Sequence, residues 1–257
     1  NNALAGAAGS GGADAGYKIE KSLRFNFGDT SYVERTPSTP GNRKTWTYSA
    51  WVKRTGDSTT NSILVAGSGG ADTHNIYFNG TGASATLVFS RYVGSFQVYL
   101  ETERKFRDPS AWYHIVVAYD TTQGTPSDRV KIYVNGIRET TFTSSTYPGP
   151  NVEYEINSDV VHRVGRYSDL LIAEAHFVDG QALDPNGVFG EFSADTGVWN
   201  PIEYTHAAPT STSAITNVSS VDNTRTISVT AAGWQQLDNA VDSSDSTVSP
   251  SNNNTPG

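Results

Sequence analysis

Residues 112–120 read WYHIVVAYD and residues 130–136 read VKIYVNG, and these two stretches decide the fold. Residues 112–119 are apolar on both faces of an extended chain, which favours a central strand of a β-sandwich. The second stretch ends in Asn135-Gly136, the strongest short-range hairpin signal, because both turn positions require positive φ. We therefore predict a central strand followed by a hairpin, whose two strands are residues 129–134 and 137–142.

A second decisive strand spans residues 45–54, where polar and apolar side chains alternate with the period of two that marks a half-buried strand. Trp51 breaks this alternation, so its ring is expected on the opposite face. A similar alternation predicts a strand at residues 171–178. The expected apolar faces are Trp46, Tyr48, Ala50 and Val52 in the first strand, and Leu171, Ala173, Ala175 and Phe177 in the second.

Short strands separated by Gly-rich turns account for most of the remaining sequence up to residue 178. No stretch of twelve residues shows helical periodicity. Regularly spaced short strands are typical of antiparallel sandwiches and jelly rolls, so the predicted fold class is an all-β antiparallel β-sandwich with almost no helix. The further strands are predicted at residues 22–27, 62–66, 75–78, 86–89, 96–100 and 160–164.

The composition excludes several classes of function. Charged residues make up 17% of the chain and the net charge is −8, so the basic surface that binds nucleic acid is missing. No apolar run approaches the roughly 18 residues needed to cross a bilayer. Neither nucleic acid nor a membrane is therefore an expected partner. The chain has no Cys, which excludes disulfides and thiolate metal sites.

Composition also divides the chain into three parts. Residues 1–16 are rich in Gly and Ala and predict a flexible N-terminal arm, and residues 17–204 form the sandwich. The end of the sandwich, residues 184–204, predicts an ordered strap held by aromatic side chains. Residues 205–257 are mostly Ser, Thr, Asn, Asp, Ala and Val, and they contain too few large apolar residues to fold alone. We expect a polar C-terminal arm that lies on a partner chain, or a partly disordered tail. Its expected assembly anchors are Ile227, Val229, Trp234 and Leu237.

The two opening stretches resemble the concanavalin A-like and laminin G-like domains, in which an aromatic-His-hydrophobic strand ending in Tyr-Asp pairs with a strand ending in Val-Asn-Gly. Four further blocks, in chain order, are similar to virion proteins of marine tailed bacteriophages. They are SLRFN at residues 22–26, RTPSTPGNRKTWTYSAWVKR at 35–54, AEAHFVDGQALDP at 173–185 and GVWNP at 197–201. The resemblance covers roughly residues 17–204. The sequence after residue 204 departs from it, because phage relatives continue with aromatic, Gly-rich sequence.

This resemblance implies a structural protein of the virion, carried on a tail fibre, a spike or a capsid appendage and involved in host attachment. The expected partners are other virion proteins, further copies of the chain in a trimer, and glycans of the host surface. A free or cell-surface carbohydrate-binding module is the alternative function, and the oligomeric state separates the two hypotheses.

A glycan-cleaving enzyme is the third hypothesis, because the same fold hosts glucanases. Their Glu-x-Asp-x-Glu strand motif is absent here. The nearest pairs are Glu101 with Glu103 and Glu153 with Glu155, each expected to place two acids on one strand face. The first pair precedes a basic run, which indicates a solvated charged edge. We therefore predict no catalytic residue and no enzymatic activity. His114 is expected to be a hydrogen-bonded core residue, and no His pattern supports zinc.

Two kinds of binding site are considered. Aromatic side chains in loops can stack on sugar rings, although ordinary rim and core packing is the better explanation for each of them taken singly. No cofactor or metal ligand is predicted, but the resemblance makes calcium possible, with Asp residues near strand ends as ligands or simply as turn residues. The glycan-binding candidates are Tyr92, Tyr99, Tyr147, Tyr154 and Tyr167, and the calcium candidates are Asp72, Asp120, Asp128 and Asp179.

Overall fold

A computed structural model of the chain describes residues 16–67, 72–205 and 218–219, with the backbone alone at residues 72, 218 and 219. The described residues form two large antiparallel sheets packed around an apolar core, which confirms the predicted all-β sandwich. Helical structure among them is limited to two 3-10 turns, Phe27–Asp29 and Gly82–Ser84, and one short helix, α1, at Pro126–Arg129. Nothing helical in these residues is long enough to cross a bilayer.

Two sheets and one small hairpin contain all the strands that the structure describes. The six-stranded sheet consists, in spatial order, of β1 (Leu23–Phe25), β13 (Leu170–Asp179), β3 (Thr45–Arg54), β8 (Tyr113–Asp120), β9 (Val130–Val134) and β10 (Ile137–Arg138). The eight-stranded sheet consists of β11 (Phe142–Thr146), β7 (Ser95–Thr102), β6 (Thr86–Val93), β5 (Asp72–Asn79), β4 (Thr60–Ala66), β12 (His162–Val164), β2 (Tyr32–Arg35) and β16 (Val218–Ser219). The hairpin pairs β14 (Gly190–Phe192) with β15 (Trp199–Pro201).

Strands β3 and β8 lie side by side in the middle of the six-stranded sheet, as the sequence predicts. The alternation in β3 buries the four expected side chains in the core between the sheets, where Trp46 stacks on Tyr119 with ring centroids 4.8 Å apart. Burying side chains of this size contributes about 1.5–3 kcal/mol each. Trp51 lies on the opposite, outer face and is 5% exposed, which confirms its predicted exception.

The predicted apolar face of β13 is wrong over half of the strand. Glu174 has φ +47°, and the pairing with β3 shifts register between Ala173 and His176, which marks a β-bulge. One extra residue reverses the side on which every earlier side chain lies. Leu171 and Ala173 therefore face outward, whereas Ala175 and Phe177 face the core as predicted. The inward residues before the bulge are Leu170 and Ile172.

The Asn135-Gly136 turn has positive φ at both positions, +50° and +76°, as the dipeptide predicts. The strand expected after it at residues 137–142 does not form as one unit. It is divided between β10 in the six-stranded sheet and β11 in the eight-stranded sheet. Between them the side chain of Glu139, 6% exposed, pairs with Arg104 at 2.5 Å. This segment carries the chain from one sheet to the other.

The segment expected to be an ordered strap, residues 184–204, lies on the outer face of the six-stranded sheet and includes the β14–β15 hairpin. Phe189 and Trp199 are 3% and 6% exposed, so they hold the strap as predicted, while Phe192 is 43% exposed. The ring of Trp199 lies where a side chain at Gly136 would stand, because a Cβ there would be 2.3 Å from it. The strap thus rests directly on the hairpin turn.

Only a fragment of the predicted C-terminal arm is described. The backbone of Val218–Ser219 pairs antiparallel with Val33 and Tyr32 of β2, at one edge of the eight-stranded sheet. Strand β2 itself was not anticipated from the sequence. The four predicted assembly anchors, Ile227, Val229, Trp234 and Leu237, lie outside the described residues, so their role stays a prediction.

Candidate functional site

The outer face of the eight-stranded sheet carries an open groove of about 580 Å³. Alternation along the strands explains its composition, because Ile76 and Phe78 of β5 face the core and their neighbours face outward. The floor is uncharged and polar, with one apolar contribution from Val65. The described residues that line this groove are Phe27, Thr59, Thr60, Ser62, Val65, Thr73, Asn75, Arg166 and Tyr167.

Two exposed aromatic rings form one wall of the groove. Phe27 is 49% exposed and Tyr167 is 46% exposed, with ring centroids 6.3 Å apart. Asp169 fixes the Phe27 backbone by accepting a hydrogen bond from its N–H at 3.0 Å. The guanidinium of Arg166 lies 4.3 Å from the centre of the Tyr167 ring. Aromatic rings have only two χ angles, so they can bind a flat ligand with little loss of side-chain freedom.

A row of aromatic side chains extends the same face beyond the groove. Tyr92 is the cross-strand partner of Thr73 on the floor. Its ring centroid lies 5.1 Å from that of Phe96, which lies 4.5 Å from that of Tyr99. Tyr92 is 37% exposed and Phe96 is 50% exposed. We call Tyr92, Phe96 and Tyr99 the aromatic row.

One floor residue has hydrogen-bonding capacity left over. The Asn75 amide donates from Nδ2 to the hydroxyl of Ser62 at 3.2 Å. Its Oδ1 is buried and has no hydrogen-bond partner among the described residues. Leaving such an acceptor unsatisfied costs about 1–3 kcal/mol, so a hydroxyl or a water is expected to donate to it. Because this oxygen is buried, it is not open to a ligand in the groove, and the floor instead offers the exposed Thr59 and Thr60 beside the aromatic wall.

Neither predicted acid pair forms a catalytic pair. Strand β7 ends at Thr102, so Glu103 is not on a strand face with Glu101. Both Glu101 oxygens accept hydrogen bonds, from the hydroxyls of Thr86 at 2.8 Å and Tyr99 at 3.1 Å. Burial, followed by the neighbouring Tyr77, raises the pKa of Tyr99, so its hydroxyl remains a donor.

The second pair was expected on a strand, but its residues lie in a loop. Glu155 accepts two hydrogen bonds from Arg91, at 2.8 and 2.7 Å, which fixes it as a charge-compensated anion. Glu153 lies 3.6 Å from both Arg43 and Lys44. A glycosidase needs two carboxyl groups that face a sugar and differ in protonation. These carboxylates face cations of their own chain instead.

A Ser–His contact lies beneath the strap, on the outer face of the six-stranded sheet. The Ser49 hydroxyl is 2.8 Å from Nε2 of His114, and Trp199 donates from its indole nitrogen to Nδ1 at 3.1 Å. Burial lowers the pKa of His114 to about 3, so the ring is neutral. Because Nδ1 accepts from Trp199, the single ring proton is on Nε2 and is donated to Ser49. A catalytic His must instead accept the Ser proton at that nitrogen. This contact is structural, which agrees with the expected role of His114.

The predicted glycan-binding tyrosines lie in two places. Tyr92 and Tyr99 belong to the aromatic row and Tyr167 belongs to the groove wall. Tyr147 and Tyr154 instead pack against the core, and the guanidinium of Arg91 covers the Tyr154 ring at 4.1 Å. The structure therefore does not bring these two into the site. Sequence analysis missed Phe27, Phe96 and Arg166. The sequence pattern places Phe27 at the end of the strand predicted at residues 22–27, but it lies in a 3-10 turn and is 49% exposed.

The three calcium candidates with described side chains act as turn or pairing residues. No cluster of three or more acidic or histidine side chains suited to a metal occurs in the described part of the chain. Calcium binding therefore stays a prediction of the resemblance. The protein partners are Thr122 and Gln123 for Asp120, Arg138 for Asp128, and Asn42 and Asn157 for Asp179.

Comparison with known proteins concerns the fold. A family model described as the concanavalin A-like lectin/glucanases superfamily matches residues 27–188. No match was found among curated proteins. Domain 4 of AbnA, an extracellular GH43 arabinanase from Geobacillus stearothermophilus solved in complex with arabinotriose, is 17% identical with a TM-score of 0.44. The match covers 68% of this chain and 79% of that one.

Two other solved structures are similar at the same level. Domains LG4-5 of the mouse laminin alpha1 chain are 13% identical with a TM-score of 0.44, and the match covers 67% of this chain and 45% of that one. Tailspike protein 2 of Escherichia coli O157:H7 bacteriophage CAB120 is 12% identical with a TM-score of 0.42, and the match covers 68% of this chain and 23% of that one. At identities this low, such a likeness says nothing about what the chain binds.

Proposed function

Because the chain belongs to the concanavalin A-like lectin/glucanases superfamily, we propose that its sandwich is a non-catalytic glycan-binding module. The observation that carries this proposal is the groove on the eight-stranded sheet, where exposed Phe27 and Tyr167 rings stand beside the exposed polar side chains of Thr59 and Thr60. A sugar presents an apolar ring face and hydroxyl donors together. Concave sites with a few placed polar groups are the usual form of a small-ligand site.

The proposed absence of catalysis rests on the hydrogen bonds that the acidic residues accept and on the position of the proton in the Ser49–His114 contact. Glu101 and Glu155 have both oxygens occupied by hydrogen bonds from their own chain. The proton on His114 Nε2 blocks the transfer that would activate Ser49. Reducing-end release from a polysaccharide by the purified protein, lost in Glu101→Gln or Glu153→Gln, would overturn this part of the proposal.

We further propose that this module is carried in the virion of a tailed bacteriophage, as part of a fibre, spike or capsid appendage, where it attaches to host-surface glycans. The support is the four sequence blocks that resemble phage virion proteins, in the same order along the chain. The proposed partners are other virion proteins and further copies of the chain as a trimer. A virion role requires the protein to be detected in purified particles by mass spectrometry. A monomer found only in free form would favour the alternative, a free or cell-surface carbohydrate-binding module.

The binding site is tested with two matched exposed phenylalanines. Phe27 lies on the groove wall and is 49% exposed, whereas Phe192 lies on the strap and is 43% exposed. We expect Phe27→Ala to weaken binding to an array of bacterial surface polysaccharides by about 0.5–1.5 kcal/mol, the typical contribution of one aromatic contact. Phe192→Ala is expected to bind as the wild type does.

Glycan-array or calorimetric titration of the three proteins distinguishes the outcomes. Equal loss of affinity in both variants would place the site elsewhere. A wild-type protein that binds no glycan would contradict the proposed function itself.

A further inference from the structure

One cation lines the groove and has no acidic partner. Among the described residues of the groove, Arg166 is the single charged side chain. It donates a hydrogen bond to the Tyr167 hydroxyl at 2.9 Å and stacks on the same ring. No carboxylate of the described residues forms an ion pair with it. In a chain with a net charge of −8, an uncompensated positive charge in a groove is an unusual local feature.

Two acids on the surrounding loops, Asp169 and Asp57, are already engaged. Asp169 accepts hydrogen bonds from the Phe27 N–H at 3.0 Å and from the hydroxyl of Ser58. Asp57 accepts from the N–H of Gly82 and lies 3.6 Å from Arg54. Both carboxylates therefore serve to hold loops in place. The charge of Arg166 remains available to a ligand in the groove.

We infer that the groove selects acidic saccharides, whose carboxylate pairs with Arg166 while the sugar ring lies against Phe27 and Tyr167. This inference rests on the proposed glycan-binding function and adds the class of glycan. Stacking on Tyr167 occupies one face of the guanidinium, and the hydrogen bond to the Tyr167 hydroxyl uses one of its five N–H donors. The remaining donors can hold a planar carboxylate in the two-pronged geometry that arginine favours. Among the described residues that line the groove there is no carboxylate that would repel such a ligand.

The inference is tested with paired probes. Each acidic oligosaccharide of an array, such as tetragalacturonate, is placed beside its carboxyl-reduced neutral counterpart, here a galactose tetramer. We expect the wild-type protein to prefer the acidic member by at least about tenfold, which corresponds to ~1.4 kcal/mol. The preference should weaken at high salt, because ions screen exposed charges.

Three variants separate charge from general loss of the site. Arg166→Gln is expected to abolish the preference for the acidic member, and Arg166→Lys should restore only part of it. Arg107→Gln removes an exposed arginine that does not line the groove, so it should keep the full preference. Phe27→Ala should weaken both members by the same factor.

The outcomes distinguish this inference from the proposed function. Equal binding of the acidic and neutral members, still lowered by Phe27→Ala, would overturn the selection of acidic glycans and leave glycan binding intact. An Arg107→Gln effect equal to that of Arg166→Gln would also overturn it, because the preference would then come from net charge. Absence of binding to every saccharide would overturn both.

Discussion

The two outer faces of the sandwich carry comparable aromatic side chains, but the described chain covers them to different degrees. On the six-stranded sheet, the strap covers the outer face, and Trp51, His114 and Trp199 are at most 6% exposed. On the eight-stranded sheet, Phe27, Phe96 and Tyr167 remain 46–50% exposed. Aromatic residues on a strand face therefore do not by themselves indicate a binding site. The two faces differ in whether the described part of the chain covers their aromatic side chains.

Removing the anchor of the strap is expected to have the largest effect on stability. Trp199 is 6% exposed and joins the strap to His114 and to the turn at Gly136. We expect Trp199→Ala to lower the free energy of unfolding by about 3–5 kcal/mol, as measured by urea denaturation. Phe192→Ala, in the same hairpin, should cost far less. Similar losses in both variants would mean that Trp199 does not hold the covered face.

Lowering the pH is expected to reduce the free energy of unfolding by an intermediate amount, through the buried His114 of the covered face. Burial lowers the pKa of His114 from 6.5 to about 3 in the folded protein. Between these two values the unfolded chain binds one more proton than the folded chain at this residue. Stability should therefore be fully present above pH 6.5 and fall as the pH decreases toward 3, by about 1.4 kcal/mol per pH unit from this residue.

Urea midpoints measured at pH 7, 5 and 4 check this slope. In His114→Gln the dependence on pH should be shallower by about one proton, whatever its stability at pH 7. An unchanged slope would show that His114 does not contribute to acid sensitivity.

Truncation on the open face is expected to have the smallest effect on stability. Tyr92 is 37% exposed and packs mainly on Phe96. We expect Tyr92→Ala to change the free energy of unfolding by less than about 0.5 kcal/mol, because surface substitutions away from caps and networks seldom do more. A loss as large as that of Trp199→Ala would mean that the open face is part of the structural core. The comparison between the two faces would then fail.

Most of the fold could be predicted because it depends on local patterns. The alternation in residues 45–54 specifies which side chains face the core, and the Asn135-Gly136 dipeptide specifies a turn. Each of these signals depends only on residues close together in the sequence. The bulge at Glu174 could not be predicted in this way. A bulge has no signature in the composition of the strand. It can be recognised only from the register shift in the pairing with β3.

The candidate site could be predicted only in part, because it is assembled from distant segments. Tyr92 and Tyr167 were accessible to a search for aromatic side chains in loops. The groove combines residue 27, four residues between 59 and 65, residues 73 and 75, and residues 166–167, and their proximity can be recognised only when the sheet order is known. Arg166 carries no local signal, since an arginine beside a tyrosine is ordinary in sequence. Its proposed role depends on its having no ion-pair partner among the described residues, which is a property of three-dimensional structure.

The Asn135-Gly136 dipeptide forms the hairpin turn, and its glycine also leaves room for the ring of Trp199. A left-handed φ can also be adopted by asparagine, so the turn alone would tolerate such a replacement at position 136. The indole ring would not, because any Cβ would stand 2.3 Å from it. The identity of residue 136 is thus tied to that of a residue more than sixty positions later. Replacement of Gly136 by any larger residue is therefore expected to require a smaller side chain at position 199.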